Sequence, residues 1–153
     1  QKKYLKIMDI SLNNIKATVT KVNHHDGINI VEFDFKRIKL SMISLELNDK
    51  IKIGTQVILG VKPSHITLAK NFSGAISASN NFEVTITKIT QGQLLASVNM
   101  EVFDTVLESL ITVNSVTRMQ LKEGETISVL IKAGELFIQE VCEDCEISEV
   151  LDV

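Results

Sequence analysis

The sequence predicts an all-β protein made of two tandem, small five-stranded barrels, each with a short helical turn. The chain has 153 residues, which leaves room for two modules of about 70 residues each. An internal repeat runs through it, and its strand-like segments alternate apolar and polar residues. We place the first copy at 1–70, the second at 71–141 and an acidic tail at 142–153.

The repeat is clearest where two strand-like segments align. Residues 15–22 lie over 82–89 at an offset of 67, with two threonines and a lysine identical. Farther along, residues 57–68 lie over 127–138 at an offset of 70, which places Lys62 over Lys132. The second copy therefore has three extra residues, and we expect this insertion near 104–109, where a turn could absorb it.

Each copy is expected to form strands joined by tight turns. Segments 17–22 and 84–89 alternate β-branched residues with Thr and Lys, the period of a half-buried strand. His-His-Asp-Gly at 24–27 and Gln-Gly at 91–92 follow as hairpin turns, because Gly tolerates positive φ. The small, polar segment 70–75 links the copies.

The rest of the second copy adds one helical turn and two strands. Residues 114–124 offer Asn or Ser as a cap and then Val116, Met119 and Leu121, which is enough for one or two helical turns. Further strands are expected at 126–132 and 136–139. Five short strands with little helix suit a barrel of the oligonucleotide/oligosaccharide-binding type.

Composition excludes several classes of function. The formal net charge of -3 does not suit a protein that neutralises nucleic-acid phosphates. The chain has no nucleophile elbow, phosphate loop or metal-binding pair of histidines, so we expect neither an enzyme nor a metal site. It has no long apolar run and no signal-peptide pattern, and we expect a cytoplasmic protein.

The two ends of the chain carry two further expectations. The first residue is Gln1 rather than Met, which suggests a missing upstream part. Cys142 and Cys145 lie in an acidic segment, where neighbouring carboxylates raise thiol pKa values. One pair of thiolates supplies only half the ligands of a structural zinc site. We therefore interpret this segment as a solvated tail rather than a redox or metal site.

Hydrogen-bond donors gather at predicted element ends in the second copy. Ser77 and Ser79 precede its first strand, and Thr112 and Ser115 lie three apart at a strand end. Lys132 ends another strand and is followed by Ala133 and Gly134. A tetrahedral dianion requires such hydroxyls, N–H groups and a lysine. The alternative is ordinary helix caps and a solvated lysine.

The order of these segments resembles a known family. Ser-Ala-Ser-Asn at 77–80 and Ile-Thr-Lys-Ile-Thr-Gln-Gly at 86–92 resemble the opening of the molybdate-binding MOP domain, a member of the TOBE class. Segments 110–116, 121–124 and 129–133 resemble its second half. The first copy is a looser match, and its ending at 59–68 is more like the TOBE modules of transporter ATPases.

This resemblance implies barrels that bind molybdate or tungstate at interfaces between copies. Thr112, Ser115 and Lys132, with Ala133 and Gly134, would contribute from one barrel, and the Ser77-Ala78-Ser79 segment would contribute to a neighbour's pocket. Two positions depart from the family. Ser79 stands where the family commonly has Arg, and Gly134 stands where it often has Ser.

The first copy departs further, which suggests two unequal pockets. At an offset of 70, Thr112 corresponds to Met42 and Ser115 to Leu45, whereas Lys62 and Ser64 remain polar. An oxyanion there would lose two hydrogen bonds, each worth about 1.5–3 kcal/mol. We therefore expect a working pocket on second-copy residues and a dead or altered first-copy pocket. Ser11, Leu12 and Asn13 would form the opposing wall of the working pocket.

Three functions remain open at this stage. The first is a molybdate- or tungstate-binding sensor module, fused to a missing N-terminal DNA-binding or ATPase domain. The second is a free-standing molybdate storage protein of the molbindin kind. The third is a structural dimerisation module that has lost its ligand. In the first two, the oxyanion is the bound ligand, and the resemblance implies a homo-oligomer, dimer or trimer.

Overall fold

The computed structural model describes residues 12–142, and within them it contains ten strands, one α-helix and two 3₁₀ turns. The first copy holds β1 (Asn13–His25), β2 (Ile28–Phe35), β3 (Ile38–Ser44), β4 (Gln56–Val61), a 3₁₀ turn (Pro63–His65) and β5 (Thr67–Ala69). The second copy holds β6 (Asn80–Gln91), β7 (Leu95–Val102), β8 (Thr105–Thr112), α1 (Val113–Met119), β9 (Thr126–Ile131), a 3₁₀ turn (Ala133–Glu135) and β10 (Phe137–Val141).

These strands form two five-stranded antiparallel sheets that exchange their last strands. The first sheet has the order β10-β4-β1-β2-β3, and the second has the order β5-β9-β6-β7-β8. Thus β10 pairs with β4 of the first copy, and β5 pairs with β9 of the second. In the first sheet the outermost strands β10 and β3 also contact each other, so the sheet curls towards a barrel. The predicted fold class is confirmed.

One hydrophobic core runs through both copies. Alternate residues of each long strand point inwards, as Ile15, Val31 and Phe33 do in the first sheet. The rings of Phe35 and Phe82 meet edge to face at 6.1 Å and join the two halves of the core. The copies therefore share apolar burial as well as strands, and each depends on the other for stability.

The strand registers show that the three-residue insertion lies at a different position from the predicted one. Asn29 pairs with Ser44 in the first copy, and Ala96 pairs with Ile111 in the second, so the offset of 67 continues to the ends of β3 and β8. The expected position at 104–109 was wrong, because both copies join these strands by two-residue turns. The extra residues lie after β8, where the second copy forms α1. Thr112 therefore corresponds to Leu45 rather than Met42.

The cap of α1 also differs from the prediction. Thr112, rather than Asn114 or Ser115, is the N-cap, and its Oγ1 accepts a hydrogen bond from the N–H of Ser115 at 3.1 Å. Gln120 ends the helix in the left-handed conformation with φ of 53°. Because the described part of the first copy has no helix after β3, Ser115 has no counterpart there.

Cys142, the last residue that the structure describes, differs from the predicted solvated tail. The N–H of Cys142 donates to the Gln56 carbonyl oxygen at 2.7 Å, and this cysteine is half-buried and disulfide-bonded. The expectation of a solvated residue was therefore wrong for Cys142, because its backbone continues the β10–β4 pairing. Cys145 lies outside the described residues. Across residues 12–142, no helix is long and apolar enough to cross a membrane.

Candidate functional site

The strand exchange brings residues from different copies together in two equivalent places. The 3₁₀ turn after β4 packs against β8, and the turn after β9 packs against β3. We call the first place the β8 cluster, comprising Leu12, Asn13, Lys62, Ser64, Thr112 and Ser115. We call the second the β3 cluster, comprising Ser77, Ala78, Ser79, Lys132, Ala133 and Gly134.

Buried hydrogen bonds fix the geometry of the β8 cluster. The Asn13 side chain, 5% exposed, donates to Val61 O at 3.1 Å and to Glu108 O at 2.9 Å. Its Oδ1 accepts from the N–H of Glu108 at 2.7 Å. The buried Ser109 hydroxyl donates to Ile66 O at 2.8 Å. These contacts lie on either side of the turn that contains the exposed Lys62 and Ser64. They hold this turn against β8, the strand that ends in Thr112.

A short chain of polar groups lies at the end of β8. The Thr112 hydroxyl donates to Ser115 Oγ at 2.9 Å. The Arg118 guanidinium donates to the same Ser115 oxygen at 3.3 Å. Sequence reasoning missed Arg118, although its position three residues after Ser115 on a predicted helical turn was a usable signal. The cluster therefore combines hydroxyls with a second cationic group, besides Lys62.

The β3 cluster has a similar frame but fewer hydroxyls. Asn80, the first residue of β6, pairs with Ile131, the last residue of β9. Ser79 just before β6 and Lys132 just after β9 therefore lie at the same end of these neighbouring strands. Lys132 and Gly134 are exposed, and Ala133 is buried. Where β8 ends in Thr112, β3 is followed by Leu45, whose side chain is 75% exposed. This cluster therefore lacks the paired hydroxyls of Thr112 and Ser115.

A cavity of mixed lining adjoins the β3 cluster. It has a volume of about 370 Å³ and lies between β3 and β10, with Gly134 at one end. Met42 and Leu136 contribute apolar walls, and Glu46 and Glu140 contribute carboxylates. Carboxylates repel a dianion at short range. This cavity is therefore a poor place for an oxyanion.

A polar contact joins the turns of the two clusters. The Nδ1 atom of His65 lies 2.7 Å from Glu135 Oε2, and both side chains are about one-third exposed. The two residues occupy the third position of their respective 3₁₀ turns. The turns that carry Lys62 and Lys132 are thus neighbours within one chain.

The structure places the predicted site residues in two groups within one chain. Thr112 and Ser115 were expected to share a pocket with Lys132. The turn that follows Lys132 packs against β3, and the turn that follows Lys62 packs against β8, because β5 and β10 are exchanged. Both amide hydrogens of Asn13, another predicted site residue, bond to backbone carbonyls. The grouping of these residues around an oxyanion stays a prediction. Ser11 lies outside the described residues.

Comparison with known proteins agrees with the predicted family. A family model described as the TOBE domain matches residues 76–138. The match lies within the second copy. With the tandem repeat of the fold, the whole chain fits a protein of the MOP/TOBE type. No match was found among curated proteins.

Two solved structures extend the comparison. The cytoplasmic molybdate-binding protein ModG, in a form with molybdate bound, is 26% identical with a TM-score of 0.80. The alignment covers 88% of this chain and 99% of ModG. A molybdate-binding protein from Sporomusa ovata is 33% identical over 39% of this chain and 90% of its own, with a TM-score of 0.39. ModG is a binding protein, which agrees with the expectation that this chain is not an enzyme.

Proposed function

We propose that this protein binds molybdate as a dianion. The observation that carries the proposal is the similarity to ModG, which includes nearly the whole of that molybdate-binding protein and most of this chain. The similarity extends over both copies and not only over residues 76–138, which supports molybdate binding by the tandem fold as a whole.

The β8 cluster is the better pocket of the two. Lys62 and Arg118 supply positive charge, while the hydroxyls of Ser64, Thr112 and Ser115 supply donors. Charge-assisted hydrogen bonds of this kind are short and strong. A pocket of donors favours an anion without protons, so it prefers molybdate to hydrogen phosphate.

The β3 cluster is the weaker pocket. It keeps Lys132, Ser77 and Ser79, together with the N–H groups of Ala133 and Gly134. Leu45 replaces a hydroxyl, and the cavity beside this cluster is partly lined by the carboxylates of Glu46 and Glu140. We therefore propose that one chain has one strong and one weak or inactive oxyanion site. Tungstate, which shares the charge and shape of molybdate, would occupy the same pocket.

The protein is also proposed to act as a homo-oligomer. The outer face of β2 and β3 carries a patch of four exposed apolar side chains, namely Ile28, Ile30, Ile43 and Leu45. Ile30 and Ile43 lie directly opposite each other on neighbouring strands. A contiguous exposed apolar patch is typical of a contact surface. A dimer or trimer that buries this patch would place the clusters of neighbouring chains near one another.

Three cellular roles are compatible with the proposed molybdate binding or with its loss. A cytoplasmic sensor module, fused to a DNA-binding or ATPase domain, would use the oxyanion to control molybdate-dependent transcription or import. A free-standing storage protein is the second candidate, favoured by the match of both copies to one complete solved chain. A structural module that has lost its ligand is the third, favoured by the departures at Ser79 and Gly134.

Titration calorimetry with molybdate, tungstate and sulfate tests the proposal. We expect micromolar or tighter binding of the first two anions, with one strong site per chain and no heat from sulfate. Replacing Thr112 with Val and Ser115 with Ala should weaken molybdate binding by about tenfold or more for each lost bond. A Thr87→Val variant on the exposed part of β6 is the matched control.

Each outcome bears on a different part of the proposal. A folded protein that gives no heat with any anion supports the structural module instead. Undiminished affinity in the Thr112 and Ser115 variants contradicts the placement at β8. Two strong sites per chain contradict the inequality of the clusters, whereas a mass that matches one chain contradicts the homo-oligomer.

A further inference from the structure

Two buried asparagines hold the exchanged parts of the molecule together. Asn13 and Asn80 occupy equivalent positions at the starts of β1 and β6, and they are 5% and 0% exposed. Asn80 Oδ1 accepts from the N–H of Ser41 at 2.7 Å, and its Nδ2 donates to Ser41 O at 2.9 Å. Asn13 makes the same pair of bonds to Glu108 of β8. Each carboxamide thus pairs with an edge strand of the other copy as a peptide group would.

The two contacts differ in one respect. Asn13 also donates to Val61 O at 3.1 Å, the carbonyl immediately before Lys62. Its side chain therefore connects three segments, which are the start of β1, the end of β4 immediately before the turn with Ser64, and β8, the strand that ends in Thr112. The bonds described for Asn80 connect β6 to β3 only.

We infer that Asn13 is a positioning residue for the oxyanion site at β8, whereas Asn80 performs the same structural task without influence on binding. This inference rests on the proposed function. Lys62 and Ser64 come from one turn, and Thr112 comes from a segment that is far away in sequence. A donor set must be held in place before the anion enters if it is to bind strongly. The Asn13 side chain bonds both to the end of the strand before that turn and to the strand that ends in Thr112.

Only asparagine supplies the required groups at this position. Its planar carboxamide presents two N–H donors and an acceptor oxygen. Aspartate keeps the acceptor for Glu108 N–H but places a second oxygen against the carbonyls of Val61 and Glu108. Leucine fills the space but removes all three of these side-chain bonds. Asn13→Asp and Asn80→Asp therefore form a matched pair of substitutions.

The test compares these two variants in the full-length protein. Calorimetry should show that Asn13→Asp raises the molybdate Kd by about tenfold or more, equivalent to about 1.4 kcal/mol. Asn80→Asp should leave the strong-site Kd within about twofold. Both variants should lose thermal stability, and Asn13→Asp should lose somewhat more, because Asn13 makes three side-chain bonds and Asn80 makes two. A merely structural role would change the two affinities equally, which would overturn the inference.

Hydrogen exchange in the wild-type protein provides a second readout that needs no variant to fold. The N–H groups of Glu108 and Ser41 bond to the two asparagine oxygens at the same distance of 2.7 Å. Molybdate should slow exchange at Glu108 and leave Ser41 unchanged. Equal changes at both amides would contradict the inference. Absence of molybdate binding by the wild-type protein would overturn the proposed function and this inference together.

Discussion

Arg118 illustrates how one residue can compensate for another at a distant position in the sequence. The family resemblance points to a missing arginine at position 79, where this chain has Ser79. In the structure, the Arg118 guanidinium lies 3.3 Å from Ser115 Oγ, beside the hydroxyl of Thr112. A cation is therefore present next to the donors of the β8 cluster.

Replacing Arg118 with Ala should weaken molybdate binding about two- to tenfold. The effect is modest because the guanidinium is exposed and screened by water and salt. Calorimetry at low and high ionic strength measures it, and the difference from wild type should shrink as salt is added. Arg37→Ala removes the other arginine of the chain, at an exposed turn, and serves as the control. Equal losses in both variants would show a general effect of charge rather than a contact at the site.

Single residues also show what the sequence could reveal. Thr112 and Ser115 were identifiable because their spacing marks the junction of a strand and a helix. The sequence does not determine which lysine accompanies them, because Lys62 and Lys132 occupy equivalent positions in the repeat and nothing local distinguishes them. Leu45 was aligned with the wrong residue, since the insertion lies in α1 rather than in the preceding turn.

At the scale of elements, α1 depends on contacts from outside the helix. It has seven residues, too few to be stable alone. Lys70, between the copies, donates to the carbonyl oxygens of Met119 and Gln120 at 3.1 and 2.8 Å. The same ammonium lies 3.2 Å from Glu125 Oε2. Glu125 thus helps to hold the lysine that secures the end of the helix.

This arrangement predicts a pH-dependent contribution from Glu125. The backbone N–H of Lys122, followed by Lys70, holds the pKa of the Glu125 carboxyl below its ordinary value. A lowered pKa in the folded state stabilises the protein above the unfolded-state pKa, and this stability is lost as pH falls through the folded-state pKa. Glu125→Gln should therefore lower Tm by about 2–4 °C near neutral pH.

Thermal unfolding followed by circular dichroism checks this expectation. The difference between wild type and Glu125→Gln should decrease steadily as the pH is lowered below the ordinary range of carboxyl groups. Glu83→Gln, at an exposed position on β6, should show no comparable difference. A constant difference at all pH values would mean that the amide disturbs packing rather than removing a charge.

At the scale of the whole molecule, strand exchange is the feature that sequence patterns did not reveal. The alternation in β5 and β10 is the same whether a strand joins its own sheet or the neighbouring one, because both environments bury the same face. The repeat and the fold class depend on local periodicity, and both were predictable. The route of the chain after each 3₁₀ turn depends on contacts between copies.

The exchange predicts how the protein behaves when it is divided. Separate fragments 1–70 and 71–153, cut at the proposed boundary between the copies, should each fail to form a stable monomer. In the first fragment, residues 57–60 of β4 lose their pairing with β10, and Asn13 loses Glu108. In the second, residues 128–130 of β9 lose β5, and Asn80 loses Ser41. Unpaired strand edges and buried polar groups destabilise both fragments or drive self-association.

Mixing the fragments should restore the fold, because each carries the strand that the other lacks. We expect a complex with equal amounts of both fragments, with one cooperative unfolding transition and the molybdate affinity of the intact chain. Size-exclusion chromatography with light scattering measures the assembly, and calorimetry measures the binding. A cooperative monomer from either fragment alone would show that the 3₁₀ turns can direct β5 or β10 back onto its own sheet. In that case the exchange would be a consequence of the covalent link between the copies rather than a requirement of each barrel.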